Sequence, residues 1–152
     1  MIQAGNAHSV EETTGYLLAK ACRAHRGNVG ALLSEVGLHV GQEMVLLELW
    51  KEGGLKGSEL ADRLGVEPPT VTRMIRRMER CGFVERRPDP ADARSFRVRL
   101  TEKGRALEEP VARIWKEAEE RTLRGISPED ATILRRLLTQ IRKNLRSAGA
   151  GC

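Results

Sequence analysis

Residues 57–101 read GSELADRLGVEPPTVTRMIRRMERCGFVERRPDPADARSFRVRLT. A small residue, Ala61, is followed by Gly65 four positions later and by Val71 six further on. That spacing suits two helices that cross steeply, because only glycine takes a left-handed turn at little cost and an apolar plug then closes the crossing. Ser58 is expected to cap the first helix, and Pro68 and Pro69 suit the opening turn of the second, whose N–H groups have no intrahelical partner. An ordinary helical hairpin would satisfy the same spacing, so the faces of the second helix have to discriminate.

On that second helix Val71, Met74, Ile75 and Met78 form an inward stripe at helical spacing. Pro69, Thr72, Arg73, Arg76, Arg77 and Arg80 lie on the other side, which is therefore cationic and rich in donors. Residues 67 to 105 hold eleven Arg or Lys against six Asp or Glu, so the whole net charge of +5 lies in this window. Concentrated positive charge of this kind is the footprint of a phosphate-backbone binder.

Two strands follow. Phe83 to Arg87 forms one; in the other Phe96, Val98 and Leu100 alternate with Arg97 and Arg99, giving a half-buried strand with a basic outer face. RPDPADARS between them reads as a turn because of its prolines and aspartates. Asp92 is expected to orient the guanidinium of Arg94 at the tip, where a fixed arginine suits a narrow minor groove. Taken alone, Asp92 and Arg94 would be a surface ion pair worth about 0 to 1 kcal/mol. Together these elements make a winged helix-turn-helix, and double-stranded DNA is the expected partner.

The stretch LKGSELADRLGVEPPTVTRMIRRMERCGFVERRPDPADARSFRVRLTEKGRAL resembles the MarR family of bacterial transcriptional regulators. The likeness covers about residues 38 to 107, with a D-x-R wing at Asp92, Ala93 and Arg94 and an L-T-x-x-G opening to the next helix. It implies a homodimer on a pseudo-palindromic operator, commonly released by a small aromatic or phenolic effector or by an oxidant. The effector cavity would lie between dimerising helices and the DNA-binding lobe, with no residues assigned to it. Arg76 departs from the family pattern, in which many members carry an acidic residue.

Outside this segment the chain of 152 residues, 40% hydrophobic and 31% charged, is long enough to bury a core. MIQAGNAHSVEETTG has no basic or apolar signal region, and no run approaches a membrane span, so a cytoplasmic protein is expected. Ser9 and Glu12 match a capping box, opening a helix through Tyr16, Leu17, Leu18, Cys22, Val29, Leu32 and Leu33 to about Val36. Gly27 and Gly30 weaken that helix and Gly37 ends it. GQEMVLLELWKEGG gives another, with Met44, Leu47 and Trp50 on one flank, and Leu55 leaves room for a short strand beside the wing. Thr101 caps a helix that Pro110 should bend. Gly125 stops it, and Ser127 with Pro128 starts the last helix.

That last helix carries Ile133, Leu134, Leu137, Leu138, Ile141 and Leu145 on one stripe. Leaving six such side chains in water would forfeit roughly 9 to 18 kcal/mol, comparable with the whole stability of a domain. The fold class expected is mainly α with a small β-wing, a DNA-binding lobe joined to a helical dimerisation region. The boundaries are an N-terminal dimerisation helix over 1–37, the winged helix-turn-helix over 38–104, C-terminal dimerisation helices over 105–147 and a disordered tail over 148–152. An isologous dimer would present two reading helices about 34 to 36 Å apart, one turn of B-DNA.

Recognition-helix candidates are Pro69, Thr70, Thr72, Arg73, Arg76 and Arg77; wing candidates are Asp92, Arg94 and Arg97. Ser58, Arg86 and Arg99 are assigned to phosphates, where they would fix register. Cys22, Cys81 and Cys152 have neither disulfide nor zinc spacing. Cys22 reads as a small core residue, and Cys22 and Cys81 are the residues a redox-sensing alternative would use. Catalytic, metal and cofactor motifs are absent: the histidines lack H-E-x-x-H spacing and there is no G-x-S-x-G, P-loop or G-x-G-x-x-G. A winged-helix module for RNA or protein is the alternative of another class, and the scarcity of aromatics for base stacking argues against single-stranded RNA.

Overall fold

The computed structural model describes the backbone of residues 5–149 and the side chains of residues 8–146. It divides into two compact units, residues 1–116 and 117–152. The first holds α1 (Gly5–Glu11), α2 (Thr14–Ser34), α3 (Gln42–Lys51), β1 (Leu55–Lys56), α4 (Gly57–Leu64), α5 (Pro68–Arg80), β2 (Val84–Asp89), β3 (Asp92–Leu100), α6 (Glu102–Ala106) and most of α7 (Glu108–Thr122). The second holds the end of α7 and α8 (Pro128–Gly149). No described helix is long and apolar enough to cross a membrane.

The helix-turn-helix forms as its turn chemistry requires. Gly65 sits in the left-handed region at φ 66°, and the Val66 N–H reaches back to the Ala61 carbonyl at 3.1 Å. That bond satisfies a carbonyl the helix end would otherwise orphan. Pro68 and Pro69 occupy the first two positions of α5. Ala61, Val71, Ile75 and Met78 are buried where α4 and α5 meet, joined by Leu33, Leu38, Leu46, Leu49, Leu55 and Leu60 in one core. Ser58 does not cap α4: the helix starts two residues earlier than that cap would give, at Gly57 with Lys56 as its cap residue, which leaves Ser58 in the first turn.

The N-terminal helix is interrupted. Ser9 lies inside α1 instead of opening a long helix, and the cap of α2 is Thr13. Its hydroxyl donates to the Val10 carbonyl at 2.7 Å and accepts from the Tyr16 N–H at 3.1 Å. One side chain thus serves both the end of α1 and the start of α2, which fixes the break there. Gly27 and Gly30 leave α2 intact and Gly37, at φ 78°, ends the turn after it. Of the apolar residues expected on the inner face only Val29, Leu32 and Leu33 are buried. Leu17 and Cys22 are exposed, so Cys22 is not a core residue in this chain.

Helix α3 turns Val45, Leu46 and Leu49 inward. Its first two residues are buried and polar: the Gln42 Oε1 accepts from the His39 N–H at 3.0 Å and the Glu43 Oε2 from the Gly41 N–H at 2.7 Å. Burial pushes the Glu43 carboxyl up, against the opposing pull of its own N–H, the Gly41 N–H and the charge on Arg26. Trp50 closes this side by donating its indole N–H to the Gly104 carbonyl at 3.1 Å.

The sheet has the order β1-β3-β2, all antiparallel, with Leu55 opposite Val98 and Arg86 opposite Val98 from the other side. The wing strands are longer than the sequence led us to expect: RPDPADARS is not one turn, since β2 runs to Asp89 and β3 begins at Asp92. Pro88 is tolerated because β2 is an edge strand, and the register slips between Pro88 and Asp89. Asp89 is buried and closes the turn. Its Oδ1 accepts from the Ala91 N–H at 2.9 Å, and its Oδ2 lies 3.3 Å from the Lys56 Nζ and 4.0 Å from the Arg97 Nε. The Ala91 N–H, then Lys56 and Arg97, hold its carboxyl below the usual carboxylate range although burial works against them.

After the wing, Thr101 caps α6 by accepting from the Gly104 N–H at 3.1 Å. The expected bend is a complete break at Leu107, so that Pro110 stands in the first turn of α7, where its missing N–H leaves no bond unmade. Ser127 caps α8 through the Asp130 N–H at 3.1 Å. Helix α8 continues through Gly149, into the stretch expected to be a disordered tail; residues 150–152 lie outside the described residues.

Two tests follow from this packing. A Cβ at Gly104 would stand 2.1 Å from the Phe83 carbonyl oxygen, a backbone atom. Gly104→Ala should therefore destabilise the domain by about 1 to 3 kcal/mol or more, read as a lower denaturant midpoint at unchanged m-value. Asp89 is the acid case of proton linkage: with its native pKa depressed, its stabilisation is present above the ordinary aspartate value and lost as pH falls through the lower native value. Amide exchange in the wing should accelerate in that acid window, and Asp89→Asn should remove the acid step.

Candidate nucleic-acid interface

Helix α5 presents its cations outward because the apolar positions at 71, 75 and 78 fix its rotation. Arg73, Arg76, Arg77 and Arg80 are exposed, Pro69 is exposed, and Thr70 and Thr72 are half-buried. The Thr72 hydroxyl donates to the Pro68 carbonyl at 3.0 Å, a local bond within the helix. Among the described residues none of the four guanidinium groups has an ion-pair partner; Arg76 feels Glu79 only as a longer-range charge. Met74 is half-buried and borders, with these arginines, a groove of about 540 Å³ reaching His39, Val40 and Gln42.

The wing's cations fall into two sets. Arg94 is exposed at the tip with no carboxylate on its guanidinium among the described residues. Asp92 acts differently from the sequence expectation: its Oδ1 accepts from the Arg94 backbone N–H at 2.9 Å and its Oδ2 from the Ser95 hydroxyl at 3.0 Å. It fixes the backbone on which Arg94 stands, an Asx-type turn, and leaves the guanidinium free to reach outward. Arg97 is drawn to Asp89. Arg99 is exposed over Gly54, beside a groove of about 420 Å³ that also meets Arg97 and Arg105.

Arg86 differs most from its expected role as a phosphate contact. It is half-buried, and its Nε and Nη2 donate to the Glu79 carboxylate at 3.1 and 3.3 Å. The same carboxylate accepts from the Arg86 backbone N–H at 3.1 Å. The Arg86 guanidinium holds the Glu79 carboxyl below the usual carboxylate range, partial burial opposing it. Glu79 was missed in the sequence because its partner lies across a helix end and a strand start, where no helical or strand period connects them.

Ser58 is exposed in the first turn of α4, where helix N–H groups face outward. Cys81 ends α5 and is exposed, its carbonyl accepting from the Lys103 Nζ at 2.9 Å. Cys22 is exposed on α2 and Cys152 lies outside the described residues. Among the described residues no group of three or more His, Cys, Asp or Glu is placed to hold a metal ion.

Comparison with known proteins agrees with this geometry. The model of the MarR family matches residues 38–96. The chain is 30% identical over 127 residues to the HTH-type transcriptional repressor Rv2887 of Mycobacterium tuberculosis, covering 84% of this chain and 91% of that one. It is 28% identical over 137 residues to the HTH-type transcriptional repressor IacR of Pseudomonas putida, covering 90% and 82%. A crystal structure of MarR aligns with TM-score 0.79 at 27% identity over 91% of this chain and 95% of that chain. A mutant MarR from E. coli, solved in complex with operator DNA, aligns with TM-score 0.78 at 25% identity over 84% and 91%. With the turn, the wing and relatives matched over nearly their whole length, this chain belongs to the MarR family of winged helix-turn-helix transcriptional regulators.

Proposed function

We propose that the protein is a sequence-specific double-stranded DNA-binding repressor of its own or adjacent genes, acting in the cytoplasm as a homodimer released by a small aromatic or phenolic effector. The observation that carries the DNA reading is the row of arginines on α5: like charges at helical spacing repel, and among the described residues none of the four has an ion-pair partner. Thr70, Thr72, Arg73, Arg76 and Arg77 enter the major groove, where one bidentate arginine discriminates a guanine by about 1 to 3 kcal/mol. Arg94 probes the flanking minor groove, and Arg99 and the first turn of α4 at Ser58 hold phosphates. That a related protein was solved in complex with operator DNA supports the DNA reading.

The dimer rests on the apolar residues left in water. Ile133, Leu137, Leu138 and Leu145 on α8 are between 41% and 62% exposed. Within the other unit Val10 and Leu17 are 56% and 64% exposed. Covering these faces with their copies across a two-fold axis satisfies the hydrophobic demand and sets two reading helices at the pitch of DNA. A ligand releases such a dimer by favouring a lobe spacing that no longer matches successive grooves.

Three measurements check this reading. On a duplex from the upstream region, the logarithm of the association constant should fall linearly with log salt at about −0.9 per phosphate neutralised; equal affinity for any duplex, or for RNA, contradicts it. Arg94→Ala should weaken operator binding by about tenfold or more with melting temperature nearly unchanged, and normal binding would remove the wing from the interface. Sedimentation should give twice the chain mass of 16.9 kDa at micromolar concentration, whereas a monomer refutes the dimer.

A further inference from the structure

Resting on the DNA-binding reading above, we propose that Glu79 and Arg86 form a positioning clamp that fixes the angle between the recognition helix and the wing, so that Arg86 acts on DNA only indirectly. Three hydrogen bonds join this one carboxylate to this one residue, to its backbone N–H, its Nε and its Nη2. Two of the five guanidinium N–H groups are spent on the carboxylate, and the planar fork is thereby held facing Glu79.

The clamp continues beyond the pair. The Arg86 guanidinium carbon lies 5.7 Å from the centroid of the Phe96 ring, a cation–π distance. The Phe96 ring in turn lies against the first residue of α4: a Cβ at Gly57 would meet its ring atoms at 2.6, 2.9 and 3.3 Å. Glu79 on α5, Arg86 on β2, Phe96 on β3 and Gly57 on α4 thus make one series linking both helices of the helix-turn-helix to both strands of the wing. Glu79, Arg86 and Phe96 also line a groove of about 390 Å³ together with Ala93 and Arg94. A change in the clamp moves the wing tip with respect to α5.

Charge and position predict opposite signs for one substitution, which makes the clamp testable. Glu79 carries a negative charge beside a surface that meets phosphates, so on charge alone Glu79→Gln should tighten DNA binding. If it positions the wing, Glu79→Gln should weaken operator binding by about tenfold, as Arg86→Gln should, and the double variant should be no worse than either single one. The salt slope should stay at the wild-type value in all three, whereas loss of a phosphate contact lowers it by about one. Arg86→Lys keeps the charge but not the fork, and should lose as much affinity as Arg86→Gln. Melting temperature and sedimentation of each variant are measured alongside.

Tighter or unchanged binding by Glu79→Gln overturns the clamp, as does a lowered salt slope confined to Arg86 variants, or affinity that simply tracks melting temperature. The functional reading is judged separately, on the wild-type affinity and slope in the same titrations; the clamp is judged on the ratio of variant to wild type.

Discussion

Repulsion within the row formed by Arg73, Arg76, Arg77 and Arg80 constrains the rest of the molecule. The inward stripe of α5, with Val71, Ile75 and Met78 buried, holds these four side chains on one outer surface. Several cations elsewhere in the lobe are matched: Arg63 with Glu48 and Glu52, Lys56 and Arg97 with Asp89, Arg87 with Glu85. Surface pairs of that sort stabilise a fold only slightly. Their significance here is the contrast they set with the α5 row, in which no arginine has an ion-pair partner among the described residues.

The turn and the wing then place that row. Gly65 takes the left-handed turn between α4 and α5, and β1 stitches the wing to the start of α4. Buried Asp89 draws Lys56 of β1 and Arg97 of β3 to one point. Because Asp89 and its ion pairs close the hairpin turn and Asp92 holds the backbone opposite, the hairpin is ordered without using the guanidinium of Arg94. The positive charge therefore stands at the end of a braced arm.

Much of this was legible in the sequence where local rules apply. The left-handed glycine, the prolines opening α5, the cap at Thr101, the alternation of β3 and the strand at Leu55 each follow from contacts within a few residues, or from a period of two or of 3.6. What stayed hidden depends on neighbours brought from far along the chain. The Glu79–Arg86 pair crosses from helix to strand, and Asp89 looks like a turn aspartate until β1 arrives beside it. Thr13 outcompeted Ser9 as a cap because its hydroxyl serves two backbone partners at once. The exposure of Cys22 could not be read from apolar periodicity, which marks a face without saying whether anything in the same chain covers it.

If the exposed arginines of α5 enter the major groove, guanines in the operator half-sites must be touched at N7, the acceptor that arginine shares with O6. Methylation interference with dimethyl sulfate tests this directly on the upstream duplex. The account predicts that N7-methylguanine within each half-site prevents binding, in two clusters about one helical turn apart. Binding indifferent to N7 methylation throughout the protected region would contradict it.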